Sequence, residues 1–211
     1  GAERIAAFAA RSRVTPFILG HSVTAVLMAK VAQQTDVVIG AVVAGRTVPE
    51  TENLIGFFAN TLPLRYSVDV TATPAEVLAS VAESAVSAME NQLLPFGRIV
   101  ETSGVSRTPG VAPLVQVLTT FDNFPFDQSA LPGLTSSLMQ VPQETSRFDL
   151  LFRFVEWDGL ELTIQYDATL FADQAVSQLL AGVVRLLDFF VTAPDRPLTE
   201  AVLCDDASRS E

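Results

Sequence analysis

Hydrophobic positions in the N-terminal part of the chain change from a helical to a strand-like spacing. Apolar residues recur three and four positions apart, first near the N-terminus and then over residues 18–31, which predicts two helices. Thr15 followed by Pro16 marks the start of the second helix, because threonine caps a first turn and proline fits its first position. The continuous apolar run over residues 37–44 is typical of a strand that is covered on both faces.

The same alternation continues to the C-terminus. Thr73 and Glu76 form a capping box that predicts a further helix. Asp158-Gly159 lies between two alternating segments and predicts a β-hairpin over residues 147–157 and 160–166. The other expected elements are strands at 62–70 and 114–121, helices at 96–101 and 173–192, and a Gly- and Pro-rich loop at 103–113.

Helices that alternate with strands, together with an antiparallel hairpin, indicate the fold class. We predict an α/β (α+β two-layer) fold in which helices pack on a mixed β-sheet. Residues 1–195 are assigned to this lobe, and the polar residues 196–211 to the start of a linker. Because the chain opens abruptly on a helical pattern, we expect it to be a fragment of a longer protein.

Residues 37–65 carry the most unusual pattern of the sequence. Two apolar runs flank a short polar loop, and each run ends in an arginine, Arg46 or Arg65. Glycines lie inside the runs at Gly40, Gly45 and Gly56, although a plain buried strand does not need them. Gly45, directly before Arg46, predicts a strand end where the backbone approaches another group closely.

Composition excludes several classes of function. The chain has 24 acidic and 13 basic residues, a net charge of −11 and a single lysine, Lys30. These values argue against binding to nucleic-acid phosphates and to an anionic membrane surface, which need clustered basic residues. One cysteine, Cys204, excludes a disulfide framework and favours the reducing cytoplasm. The sequence shows no signal peptide and no apolar run of about 20 residues.

Residue spacing alone identifies no catalytic or metal-binding group. The sequence contains one histidine, His21, which we assign to packing or to the surface rather than to proton transfer. Without a second histidine a metal site is not expected. The sequence also lacks a nucleophile elbow, a P-loop and a dinucleotide-binding glycine pattern. Several aspartates are scattered along the chain, and their spacing defines no acid–base pair. They are Asp122, Asp127, Asp149 and Asp158.

Four consecutive motifs resemble the condensation domains of nonribosomal peptide synthetases. DVVIGAVVAGR (residues 36–46) is similar to the fourth core motif of that family, and LIGFFANTLPLR (54–65) is similar to the fifth. NQLLPFGRIVE (91–101) resembles the sixth motif, usually HQDVPFEKLVE, but departs from it at Asn91, Gly97 and Arg98. SRTPGVAPLVQVLTTFDNFP (106–125) resembles the seventh. The tail is similar to the linker that leads into an adenylation domain. Together with the four motifs, it extends the resemblance over nearly the whole chain.

The resemblance implies the C-terminal lobe of a chloramphenicol acetyltransferase-like domain. Such domains join a donor acyl or peptidyl thioester to an acceptor aminoacyl amine, with both substrates on phosphopantetheine arms of carrier proteins. The HHxxxDG motif that supplies the base belongs to the N-terminal lobe and does not occur in this sequence. We therefore expect no catalytic residue in this chain, no directly bound cofactor, and no activity from the fragment alone. The implied partners are the N-terminal lobe, donor and acceptor peptidyl carrier proteins and a downstream adenylation domain.

The resemblance also places candidate residues at the substrate tunnel. Residues 47–53 are expected to cross toward the other lobe as a floor, and residues 122–133 as a latch. Arg46 would organise this floor or the lobe interface, or else form a structural ion pair with Glu50 or Glu52. Asn60 and Thr61 would either fix a strand turn or face the channel.

Asn123 follows a strand at the late active-site position of the family. It would hydrogen-bond the arm or the developing oxyanion, unless it forms an Asx turn before Pro125. We expect Asp149 to anchor a sheet edge or a loop. The remaining residues of the motifs are expected to be structural; they are Gly45, Gly56, Phe57 and Phe58.

Two other functions are compatible with the same fold. Epimerization domains share it, but they usually carry a GWFT-like fifth motif and a later FNYLG-like segment, where this chain has GFFANT and FDNFP. A degenerate condensation-like domain would instead be a non-catalytic platform that recruits partner proteins. An intact HHxxxDG motif in the preceding lobe would favour catalysis, and a broken one would favour the platform.

Overall fold

The computed structural model describes residues 2–106, 108–122, 145–156 and 160–204. These residues form helices and strands in a largely alternating order. The helices are α1 (Ala2–Arg11), α2 (Pro16–Ala32), α3 (Pro74–Glu90), α4 (Phe96–Ser103) and α5 (Asp173–Thr192). The strands are β1 (Asp36–Val43), β2 (Asn60–Ser67), β3 (Val117–Asp122), β4 (Leu150–Glu156) and β5 (Leu160–Tyr166).

The strands form one sheet in the order β2-β1-β3-β4-β5. The two inner pairs, β1–β3 and β3–β4, are parallel, and the two outer pairs, β1–β2 and β4–β5, are antiparallel. The predicted mixed sheet with helices packed on it is therefore confirmed. The predicted hairpin partners also pair, from Leu150 with Tyr166 to Glu156 with Leu160. Asp158 and Gly159 lie outside the described residues.

Local capping signals place the helices as predicted. The Thr15 hydroxyl accepts a hydrogen bond from the Ile18 amide at 3.2 Å and begins α2. Thr73 and Glu76 form both halves of the capping box at the start of α3. The predicted helices at 96–101 and 173–192 correspond to α4 and α5.

Strand bounds differ from the prediction where a local turn competes with extended backbone. β3 begins at Val117 rather than at residue 114, because Leu114 has a φ of 63° and the Val115 amide donates to the Pro113 carbonyl. β2 ends at Ser67 rather than at residue 70. The Asp69 carboxylate accepts from the Thr71 amide at 2.8 Å and turns the chain there.

Helices cover one face of the sheet, and α2 is the central helix of this layer. Most of α2 is buried, which fits a helix that is apolar all round. Alternate residues of each strand join the same core. The sheet side of the core includes Ile39, Ala41, Leu62, Leu64, Phe152 and Phe154.

The second face of the sheet is more open. We call this side the open face; its residues include Val38, Val42, Thr61, Arg65 and Arg153. Among them, the Val42 side chain is 38% exposed. Arg65 and Arg153 form ion pairs there with Asp36 and Asp122. The expectation that β1 is covered on both faces is wrong at Val42, because valine also occupies exposed positions and hides the alternation.

The segment after α5 also differs from its sequence interpretation. Leu198 is fully buried and Ala201 is 7% exposed, although both lie in the stretch interpreted as a linker. The stretch is short and mixes apolar residues with Arg196, Thr199 and Glu200, so no sustained apolar period marks it in the sequence. Residues 196–204 pack on the lobe, while the division at residue 195 stays a prediction.

One described helix, α5, is long and apolar enough by composition to span a bilayer. Its charged residues Arg185 and Asp188 interrupt the apolar run, which is why the sequence shows no continuous membrane-length stretch there. Val183, Leu186 and Phe190 of α5 are fully buried in the core. These side chains of α5 therefore form part of the core.

Candidate functional site

The strands β1 and β2 are joined by a long loop, residues 44–59, which we call the β1–β2 loop. At its base Gly45 has a φ of 65°. A Cβ atom at this position would lie 1.9 Å from the Phe58 carbonyl oxygen. The close backbone approach predicted at Gly45 is therefore present, and Gly45 admits no larger residue without moving the loop.

Arg46 holds the β1–β2 loop together from inside. Its guanidinium donates to the backbone carbonyls of Thr51, Leu54 (3.0 Å) and Gly56 (3.5 Å). It also lies over the Phe58 ring, 4.4 Å from the centroid. Among the described residues Arg46 forms no ion pair with Glu50 or Glu52, so that structural alternative is wrong. Several hydrogen bonds from one planar guanidinium fix the loop conformation.

The loop presents bare apolar side chains to solvent. Ile55 is fully exposed and Phe57 is 93% exposed, and Val48 and Leu54 are about half exposed. Apolar side chains at the rim of a fixed loop are typical of a surface that another protein surface covers. We call Leu54, Ile55 and Phe57 the apolar tip. Phe57 was expected to be a structural residue, and its exposure was not predicted.

Asn60 and Thr61 have different surroundings at the start of β2. The Asn60 amide donates to the carbonyls of Gln92 (2.9 Å) and Leu94 (2.8 Å), and its oxygen accepts from the Phe96 amide (3.1 Å). Asn60 thus fixes the turn into α4, and these contacts support its structural alternative. Thr61 lies on the open face, beside Gly40 of the neighbouring strand.

The other sequence candidates contribute less to the described site. Asp149 is half-buried directly before β4, and its carbonyl accepts from the Asp167 amide at 3.1 Å. Burial and the nearby charge of Asp167 raise the pKa of Asp149. Asn123, and all of the expected latch except Asp122, lie outside the described residues. A Cβ atom at Gly56 would lie 3.0 Å from the Phe58 ring, so Gly56 lies close under that ring in the loop.

His21 is enclosed in the core and is not placed for proton transfer with a substrate. Its Nδ1 lies 3.3 Å from the Tyr66 hydroxyl, and its ring packs against Phe17 at 4.5 Å between centroids. Burial lowers the pKa of His21 from 6.5 to about 3. The imidazole is therefore neutral at physiological pH, as expected for a packing residue. In the described part of the chain no cluster of His, Cys, Asp or Glu could hold a metal ion.

The buried His21 makes stability depend on pH. Below pH 6.5 the unfolded chain binds a proton at His21, whereas the folded chain does not until about pH 3. The free energy of unfolding therefore falls as the pH is lowered through this window, by up to roughly 1.4 kcal/mol per pH unit. We expect a loss of about 2 kcal/mol between pH 6.5 and 4.5 in urea unfolding.

The control for this prediction is His21→Gln, which keeps a polar side chain and removes the titration. Its free energy of unfolding should be nearly flat from pH 6.5 to 4.5. Carboxylates with lowered pKa values, such as Asp36 and Glu76, lose their contribution mainly below this window. An equal pH slope in the variant would assign the effect to other groups.

Comparison with known proteins identifies the family. A family model described as "Condensation domain" matches residues 2–211. Surfactin synthase subunit 2 of Bacillus subtilis is 32% identical over 209 residues, covering 99% of this chain and 6% of that protein. Isonitrile lipopeptide synthase of Mycobacterium tuberculosis is 30% identical over 215 residues, covering 99% of this chain and 9% of that protein. The chain thus spans a small part of these curated relatives.

Solved structures show the same fold. A four-domain nonribosomal peptide synthetase bound to AMP and glycine superposes with a TM-score of 0.88 at 22% identity, covering 99% of this chain and 17% of that chain. The X-domain from teicoplanin biosynthesis has a TM-score of 0.85 at 26% identity, covering 95% of this chain and 47% of that chain. Because the family model matches residues 2–211 and the fold is the same, this chain belongs to the condensation-domain family.

Proposed function

We propose that this chain is the C-terminal lobe of a nonribosomal peptide synthetase condensation domain. The observation that carries the proposal is the coverage of solved structures. Two solved condensation domains align with 93% and 97% of this chain. The aligned region is only 46% of each of those longer chains. The sequence also lacks the family's HHxxxDG motif. Both facts are expected of one lobe of a two-lobed domain.

The reaction we propose is formation of an amide bond between two carrier-bound substrates. The acceptor amine attacks the donor thioester carbonyl, the carbon–sulfur bond breaks, and the thiol of the donor arm leaves. The amine proton passes by way of a histidine of the other lobe to the sulfur of the leaving arm, which therefore departs as a thiol. This chain would contribute by orienting the two reactants and by excluding water from the tunnel.

We assign the tunnel wall to the open face and the tunnel floor to the β1–β2 loop. Thr61 contributes a hydroxyl to the wall, and Arg65 and Arg153 already pair with carboxylates, so they are less available to substrate. Arg46 fixes the loop from within, and the apolar tip faces outward, where a second lobe would cover it. Phosphopantetheine arms would enter between the two surfaces.

We also propose that Asn123 hydrogen-bonds an arm or the developing oxyanion. It directly follows Asp122, which ends β3 beside the open-face residue Arg153. Asn123→Ala in the two-lobed domain should slow turnover and leave the melting temperature unchanged. Unchanged turnover would remove Asn123 from the site.

The proposed partners follow from the same assignment. They are the N-terminal lobe, donor and acceptor peptidyl carrier proteins, and an adenylation domain after residue 211. No cofactor would bind to this chain itself, because the arms belong to the carrier proteins. We place the protein in the cytoplasm, which fits a single cysteine and an acidic, largely water-soluble lobe.

A non-catalytic platform is the second candidate function. The structure of an X-domain in complex with OxyB from teicoplanin biosynthesis matches this chain with a TM-score of 0.84 at 25% identity. That likeness favours a platform over an epimerization domain as the alternative. The exposed apolar tip would serve either role.

One experiment separates these functions. The two-lobed polypeptide is mixed with donor and acceptor carrier proteins that bear loaded arms, and the mass of each intact carrier protein and the chirality of its released substrate are measured. A product with a new amide on the acceptor carrier supports condensation. Inversion of the donor without transfer indicates epimerization. Unchanged carriers, despite full loading, contradict catalysis and favour the platform.

A further inference from the structure

The single lysine of the chain binds the segment that follows α5. Lys30 Nζ, in the last turn of α2, donates to the carbonyl oxygens of Leu198 (2.6 Å) and Ala201 (2.8 Å). Leu198 begins a single 3₁₀ turn, Leu198–Glu200, and Ala201 directly follows it. Hydrogen bonds from an ammonium are stronger than those between neutral groups. Partial burial also lowers the pKa of Lys30.

Other contacts hold the same segment along its length. The Leu198 side chain is fully buried, and the Leu198 amide donates to the Ala72 carbonyl at 2.9 Å. At one end the Ala75 amide donates to the Pro194 carbonyl. At the other end Arg185 of α5 donates to the Leu203 carbonyl. The segment is therefore attached to α2, to α5 and to the start of α3.

We propose that residues 194–204 form a strap, clamped by Lys30, that fixes where and in which direction the polypeptide leaves the lobe. Cys204, the last described residue, would then be held in one place relative to the lobe. Where an adenylation domain follows, that domain would be oriented by the same clamp. The strap is independent of catalysis and would serve a platform equally well.

The nature of the contacts identifies Lys30 as the controlling residue. The ion pair between Arg196 and Glu200 also lies in the strap, but both side chains are exposed. Exposed ion pairs contribute little to stability. Loss of the Lys30 ammonium would instead remove a charged donor from two carbonyls of a partly buried turn, of which the Leu198 carbonyl keeps its hydrogen bond from the Ala201 amide at 3.1 Å. Losing these charged hydrogen bonds costs more than losing an exposed ion pair.

The test uses Lys30→Met, which keeps an unbranched side chain and removes the ammonium. Hydrogen exchange of the 211-residue chain is followed by mass spectrometry, and a nitroxide on Cys204, the single thiol, reports mobility at the end of the strap. We expect amide exchange in residues 198–203 to become faster by about tenfold or more. The spectrum should show a more mobile nitroxide, while exchange in α3 beyond its first turn is unchanged, since the Ala75 amide that donates to the strap lies in that first turn.

Arg196→Met is the matched control and should change neither readout. Leu198→Ala removes the buried anchor and leaves α2 intact, so it should loosen the strap in the same way as Lys30→Met. If Lys30→Met does not fold, the result for Leu198→Ala decides between the outcomes. Unchanged exchange and an unchanged nitroxide spectrum in the variants would overturn the proposal. Equal acceleration in the strap and in α3 beyond its first turn would also overturn it, because Lys30 would then support the whole fold.

Discussion

Gly45→Ala should destabilise the lobe by about 3 kcal/mol or more, the largest effect we expect from a single methyl group in this chain. Two costs add at this position. The residue has a φ of 65°, which disfavours any residue with a Cβ atom. The added Cβ would also lie 1.9 Å from the Phe58 carbonyl oxygen, so the backbone must move. Urea unfolding measures the free energy directly.

Gly104→Ala is the matched control for this prediction. Gly104 has a similar φ of 70°, but an added Cβ there meets nothing within 4 Å. We expect Gly104→Ala to cost only about 1 kcal/mol, from backbone conformation alone. The difference between the two variants measures the close approach of Gly45 and Phe58. Equal losses in the free energy of unfolding would mean that the backbone at the base of the β1–β2 loop moves to accept the Cβ atom at little cost.

Replacing Ile55 and Phe57 together by serine should weaken the association of this lobe with the proposed N-terminal lobe by about 100-fold or more. Both side chains are almost fully exposed here, and burial of each by a partner would contribute roughly 1.5–3 kcal/mol. Isothermal titration of the purified lobes measures the affinity. The stability of this lobe alone should change little, since neither side chain contributes to its core.

Val184→Ser provides the control for the apolar tip. Val184 is an exposed apolar residue of α5, 56% exposed and away from the β1–β2 loop in sequence. Its replacement should leave the affinity unchanged. An affinity that falls equally in both variants would indicate a nonspecific loss of apolar surface, and no loss in the Ile55 and Phe57 variant would place the lobe interface elsewhere.

The sequence predicted those elements that depend on local interactions. Thr15 and Thr73 begin helices because each side chain caps an amide three residues ahead. The hairpin strands followed from alternation and from a turn signal. The approach at Gly45 was also predictable, because a glycine at the end of an apolar run has few other uses there.

The remaining features depend on contacts that leave no pattern in the sequence. Arg46 donates to backbone carbonyls, which every residue carries, so its partners could not be identified from residue types. The exposure of Phe57 depends on the path of the loop, since an apolar run predicts burial. Lys30 and Leu198 are 168 positions apart in the chain. Their contact follows from the packing of α2 on the C-terminal segment.

The central claim is that this chain shapes half of a reaction chamber and obtains its base from another lobe. The most direct measurement is amide formation between loaded carrier proteins with this chain alone, with an HHxxxDG-bearing N-terminal lobe alone, and with both lobes combined. We predict product only from the combination, and much less when Ile55 and Phe57 are replaced by serine. Product from this chain alone, above the rate without protein, would contradict the claim.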